Sequence, residues 1–144
     1  MTLSAADLAS YPARYFAAWS QRDIATALRV IADGVDWQDP GLPEPITNRE
    51  GVAAFFTAAW SGFPNLAFHP VGEPLVDAVN RRVSHEWRMV GTHTGEGFPP
   101  GVPATGRPFD VTGTDIWQVD DDGRAVSVHA YWNVATLMAQ LGLA

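Results

Sequence analysis

Three side chains of this sequence stand where residues of their type need a reason, and together they suggest proton-transfer chemistry. Asp115 falls mid-strand in Val111-Thr112-Gly113-Thr114-Asp115-Ile116-Trp117, a setting that disfavours aspartate. Alternation puts it on one face with Gly113 and Trp117. Facing a cavity, it would be a carboxyl group against indole, and desolvation would raise its pKa; facing solvent, it would be an ordinary surface acid. Asp39 precedes Pro40-Gly41 at the end of a strand, where an aspartate either caps the turn or sits at a cavity rim. Tyr15 lies on the apolar stripe of a helix, either packed in the core or offering its hydroxyl to that cavity. Two acids and a phenol at one cavity suit cofactor-free acid–base chemistry.

Other chemistries lack their residues. The sequence has no glycine-rich phosphate cradle, no Gly-x-Ser-x-Gly elbow and no His-Glu-x-x-His pair. His69, His85, His93 and His129 are scattered singly, so no metal and no cofactor are expected. With no cysteine, disulfides, thiolate metal sites and a cysteine nucleophile are excluded. Asp120-Asp121-Asp122-Gly123 reads as a solvated hairpin turn.

The 144 residues are 47% apolar and 17% charged, too apolar for disorder, and form one domain over residues 1–144. A net charge of −7 argues against nucleic-acid binding, which needs a basic face. The first ten residues carry Asp7 and no cationic patch, and no stretch reaches the ~20 apolar residues of a membrane helix. A cytoplasmic location with no membrane contact is the expectation.

The elements that position these residues follow from periodicity. Ser4 to Asp7 looks like a capping box, and a helix is expected from Tyr11 to Gln21, with Tyr15 and Trp19 inward. Asp23 caps a second helix over Ile24 to Ala32, and Asn48 caps a third running through Trp60 with Phe55 and Phe56 on its stripe. Val35 to Gln38 is a short strand. Leu66 to Val71, Leu75 to Val79, Arg82 to Gly91, Phe109 to Val119 and Arg124 to Trp132 are further strands. Arg82 to Gly91 alternates, with Val83, His85, Trp87 and Met89 on one face. Gly95 to Pro108, rich in glycine and proline, is expected to be an exposed loop or flap. A short helix, Val134 to Leu141, closes the chain. The class is α+β: a strongly curved antiparallel sheet against three N-terminal helices, with a conical cavity between.

Several pieces are similar to a known family: Arg14-Tyr15-Phe16-Ala17-Ala18-Trp19, Asp39-Pro40-Gly41, Gly91-Thr92-His93-Thr94-Gly95, Ala104-Thr105-Gly106-Arg107, Gly113-Thr114-Asp115-Ile116-Trp117, and Tyr131-Trp132-Asn133 through Gln140-Leu141-Gly142. They resemble the SnoaL-like polyketide cyclases of the nuclear-transport-factor-2-like superfamily, over nearly the whole chain. The resemblance implies a cone-shaped α+β fold, which hosts several chemistries and many non-enzymes. By likeness to the polyketide cyclases, Asp115 would be the base of an intramolecular aldol cyclisation. By likeness to ketosteroid isomerases, Asp39 would be the base, while Tyr15 and a protonated Asp115 would donate to the substrate oxygen. A third, epoxide-hydrolase-like reading would need Arg88 inside the cavity. Many relatives carry Tyr-Trp-Asp where this chain has Asn133, so a carboxylate role there is lost.

The sequence reading is therefore a cofactor-independent lyase or isomerase acting on a bulky, apolar carbonyl compound. Its alternative is a non-catalytic small-molecule-binding or assembly domain. The expected catalytic residues are Asp115, Asp39 and Tyr15, with Trp37, Phe56, Trp87, Trp117 and Trp132 as walls and His93 touching polar groups of the substrate. Alternation leaves the last strand open between Val128, Ala130 and Trp132 inward and His129 and Tyr131 inward; the likeness to ketosteroid isomerase favours the first set. The resemblance also implies a homodimer, with a second copy over the open face of the sheet.

Overall fold

The computed structural model describes residues Leu3–Ala144. Five helices and five strands follow one another as α1 (Ala5–Ala9), α2 (Tyr11–Gln21), α3 (Ile24–Val30), β1 (Ile31–Gln38), α4 (Arg49–Gly62), β2 (Ala67–Asp77), β3 (Arg82–Thr92), β4 (Pro108–Val119), β5 (Ala125–Trp132) and α5 (Val134–Gln140). The strands form one sheet in the order β1-β5-β4-β3-β2. Helices cover one of its faces, as the α+β reading requires.

Local chemistry explains where elements start. The Ser4 and Asp7 side chains each accept the other's backbone N–H at 3.0 Å, a reciprocal cap that opens the one-turn helix α1. Pro12 then lies in the first turn of α2, where its missing N–H costs nothing. Four helices thus precede the meander rather than three, because the capping box starts its own turn. Asp23 caps α3 through the Ala25 N–H, and Asn48 caps α4 through the Gly51 N–H.

Two expected boundaries move. The α3 helix ends at Val30, and the strand begins at Ile31, pairing with Ala125 before a register break ahead of Asp36. Gly34, at φ +68°, sits within that break, the backbone state a glycine bulge supplies. The two short strands foreseen around residue 72 are one strand, β2, whose pairing with β3 slips between Val71 and Leu75. Gly72, at φ +69°, takes up the slip. Pro70 and Pro74 are tolerated because β2 is an edge strand.

The sheet is mixed. The four strands from β2 to β5 are antiparallel, while β1 joins the far edge parallel to β5, with Trp37 opposite Val128 and Gln38 opposite His129. The register sets the inner face: Asp115 lies between His85 and Ala130, and Trp117 between Val83 and Val128. Val128, Ala130 and Trp132 therefore point to the helices, and Tyr131 to the outside. Aromatic rings fill most of the space between the layers; Trp19 stacks on Phe56 at 4.0 Å between centroids, and Tyr15 leans on Trp117 at 5.0 Å.

The glycine- and proline-rich segment from Gly95 to Arg107 is a loop, as expected, with most of residues 100–107 exposed, but its first part is tied down. His93 exchanges backbone hydrogen bonds with Gly106 and Arg107, the Gly95 N–H donates to Gly62, and Ser61 donates its hydroxyl to the Glu96 carbonyl. Phe98 and Pro99 are buried. The loop is strapped to the C-terminal end of α4 and presses Phe98 against the space between the layers.

Candidate active site

Asp115 is 3% exposed, at the centre of β4. The indole N–H of Trp87 donates to its Oδ1 at 3.2 Å. The Tyr15 phenol also acts on this carboxyl, and Asp115 lines a cavity between the sheet and the helices. Burial pushes the carboxyl up to about 7, with a further upward push from the charge of Asp39; the Trp87 indole and the Tyr15 phenol pull the other way. Desolvation wins because no cationic side chain lines the cavity to compensate.

Asp39 enters from the end of β1. Its Oδ1 accepts the Gly41 N–H at 2.7 Å and the Trp132 indole N–H at 3.2 Å. The first bond is the turn cap that its Asp-Pro-Gly context predicts. The residue also lines the cavity, so the two readings of Asp39 are both true of one side chain. Burial raises its pKa, partly offset by those two bonds. Gly41 gives space as well as a donor: a Cβ there would lie 3.1 Å from Asp39 Oδ1 and 3.2 Å from both Phe98 and Trp132.

Tyr15, on α2, is buried with its ring among Trp37, Trp117 and Trp19. Burial, then the negative charge of Asp115, hold its phenol well above the usual range. It stays a proton donor at any working pH. The site therefore offers one carboxyl poised near neutrality, one less perturbed carboxylate and one permanent O–H donor.

The cavity walls are apolar. Of the nine residues singled out from the sequence, Tyr15, Asp39, Trp87, Asp115 and Trp132 line it, whereas Trp37, Phe56, Trp117 and His93 do not. Trp37, Phe56 and Trp117 are buried behind the lining and buttress it. His93 is fully buried; its Nδ1 accepts the Thr105 N–H at 3.2 Å and lies 3.0 Å from the Thr105 hydroxyl. Its ring packs edge-on to Phe63 at 5.5 Å, so it anchors the loop from behind the wall. Trp19, Phe55, Phe68 and Phe98 add further aromatic surface to the lining. Trp19 and Phe55 already lay on inward helical stripes, but nothing in the spacing of Phe98 marks it.

Water-sized molecules can centre themselves in about 50 Å³ of this space, room for several waters. Arg88 is outside: it points away from the helices and pairs with Asp110 at 2.5 Å, which removes the arginine an epoxide-hydrolase-like set would need. Among the described residues no three His, Asp or Glu side chains are grouped to hold a metal ion. No helix among them is long and apolar enough to cross a membrane.

Comparison with known proteins gives the same architecture. IdmH of Streptomyces antibioticus, a proposed polyketide cyclase, superposes with a TM-score of 0.75 at 26% identity, covering 94% of this chain and 98% of that one. A proposed SnoaL-like polyketide cyclase from Jannaschia sp. CCS1 gives 0.82 at 17% identity, over 100% and 99% of the two chains. A protein with a ketosteroid-isomerase-like fold from Catenulispora acidiphila, solved with trimethylamine, gives 0.75 at 17% identity, over 93% of each. No protein with a curated description matches the chain. The sequence model of the SnoaL-like domain matches residues 13–128, and the chain belongs to that family.

Proposed function

We propose that this protein is a cofactor-independent acid–base catalyst that enolises a neutral, largely apolar carbonyl compound, for ring closure or for shift of a double bond. The observation that carries this reading is a buried aspartate, Asp115, with one oxygen held by an indole, lining an aromatic cavity that Asp39 and Tyr15 also line.

The raised pKa of Asp115 favours the isomerase-like division of roles. Asp39, as carboxylate, takes the proton α to the carbonyl. The C–H electron pair moves into the new C=C bond, and the carbonyl π pair onto oxygen. Tyr15 and protonated Asp115 donate hydrogen bonds to that oxygen, stabilising the enolate in a dry site. The enolate carbon then adds to a second carbonyl of the same molecule, whose oxygen takes the proton back from Asp39, or Asp39 returns the proton to a conjugated carbon. The chain contains no lysine, so a Schiff-base aldol route has no amine here. With about 50 Å³ for water-sized centres, a bulky ring system enters only by displacing side chains such as Phe98.

We place this activity in a cytoplasmic homodimer. The support is an outer sheet face that leaves Leu75 73% and Tyr131 54% exposed, apolar surface that a second copy would cover.

Hydrogen–deuterium exchange at the α carbon tests the chemistry without knowledge of the product. Aromatic polyketide esters and 3-oxosteroids are incubated with the protein in D2O and followed by NMR. Catalysed exchange that is lost in Asp39→Asn is the expected result. Tight binding with no exchange across the set would instead make the protein a binding domain.

A further inference from the structure

Gly113 is the point at which the two carboxyl groups of the site meet the same packing constraint. Its neighbours across the sheet are Trp87 on β3 and Trp132 on β5, one on either side. A Cβ at Gly113 would fall 2.7 Å from the far ring carbon Cη2 of Trp87, 2.7 Å from Trp132 Cβ and 2.7 Å from the Tyr131 carbonyl oxygen. All three are well inside van der Waals contact, and two belong to atoms that cannot swing away. Its φ is not in the left-handed region, so space and not backbone freedom requires glycine here.

The same two indoles hold the two acids. Trp87 donates to Asp115 Oδ1 and Trp132 to Asp39 Oδ1, each at 3.2 Å. We infer that Gly113 is a positioning residue: by having no side chain it lets the Trp87 ring and the Trp132 Cβ close on one point of β4, so that one position sets the placement of both indoles and, through them, of Asp39 and Asp115. The inference rests on the acid–base reading of the site for its functional meaning, but the geometry it asserts is independent of any substrate. Each indole bond is one of the influences that lower the pKa of its own acid. A methyl group at Gly113 displaces both donors, and both acids titrate higher. The other ionisable groups around Asp115 are Tyr15 and Tyr11 and, directly across the sheet, His85. None of them is among the atoms that a Gly113 Cβ would meet.

Carboxyl-carbon NMR titration of Gly113→Ala decides the matter. Loss of a hydrogen bond worth about 1 kcal/mol corresponds to a rise of about 0.7 pKa unit, and the expected result is such a rise at Asp39 and Asp115 alike, with upfield movement of both indole Nε1–H signals. Trp87→Phe is expected to raise Asp115 more than Asp39, and Trp132→Phe the reverse. A Gly113→Ala protein in which one or neither acid moves overturns the inference. Should that variant not fold, Trp87→Phe/Gly113→Ala removes the nearest ring carbon; an Asp39 titration no different from that of Trp87→Phe alone overturns it. The wild-type protein supplies a check that needs no variant: nuclear Overhauser contacts from the Gly113 α protons to both the Trp87 ring and the Trp132 β protons are expected, and absence of either set also overturns it. If the protein catalyses no exchange on any carbonyl compound, the functional reading fails while these measurements still decide the role of Gly113.

Discussion

Trp87 reaches Asp115 diagonally across two neighbouring strands: Trp87 pairs with Gly113, two residues before the aspartate, and its indole N–H spans the offset to Oδ1 at 3.2 Å. Diagonal neighbours on one face of a sheet lie within reach of a long aromatic side chain. The indole thereby fixes one carboxyl oxygen at the cavity wall.

The pH dependence of catalysis follows from the two acids. In the proposed division of roles Asp39 is ionised and Asp115 protonated, so kcat/KM should rise as Asp39 loses its proton and fall through the titration of Asp115 at about 7. A bell-shaped profile with its alkaline limb near neutrality is expected from stopped-time assays across pH 4 to 9. The limbs belong to the coupled pair, since each charge acts on the other. An activity still rising above pH 8 would make Asp115 the base.

Substitution separates the roles by magnitude. Asp39→Asn removes the base and is expected to lower kcat by about 10²–10⁴-fold. Asp115→Asn leaves a neutral donor in place and should cost less, whereas Asp115→Ala removes the donor and should cost about 10²–10³-fold. Steady-state kinetics of the three variants provide the order; a larger loss in Asp115→Asn than in Asp39→Asn would reverse the assignment.

Stability should carry the signature of the same buried acid. Because its pKa is raised from 3.8 to about 7, the folded state holds a proton that the unfolded chain has released between those values. Stability attributable to Asp115 therefore falls as pH rises through about 4 to 7, by about 4 kcal/mol in all. Urea unfolding at pH 5 and pH 8 should show wild type losing ground that Asp115→Asn keeps. Equal losses in the two proteins would mean that the side chain is not desolvated.

Arg88 and His93 test the surroundings. Arg88→Ala breaks an exposed pair with Asp110, so a stability change below about 1 kcal/mol and unchanged turnover are expected.

His93→Ala removes the Thr105 anchor and a fully buried ring, with an expected cost of about 2–4 kcal/mol. Limited proteolysis should then cut within 93–107 earlier than in wild type.

The sequence revealed the parts whose signals are local. Caps at Asp23 and Asn48 marked two helix starts, the Ser4 box was legible but not the separate turn it opens, and alternation in Arg82 to Gly91 put Trp87 on the inner face. Asp115 stood out because aspartate is costly mid-strand. What stayed hidden depended on partners far along the chain. Ile31 joins the sheet only because Ala125 is beside it, and His93 looked like a substrate contact until Thr105 claimed its ring nitrogen. Phe98 entered the cavity wall because Gly62 and Ser61 draw its loop onto α4, a pairing that no periodicity encodes.

The parallel pairing of β1 with β5 has a consequence for the order of folding. Asp39 and Trp132 lie 93 positions apart, yet the indole of one holds the carboxyl of the other. Closing so long a loop is slow relative to helix and hairpin formation, so the junction that holds the acid pair is assembled late.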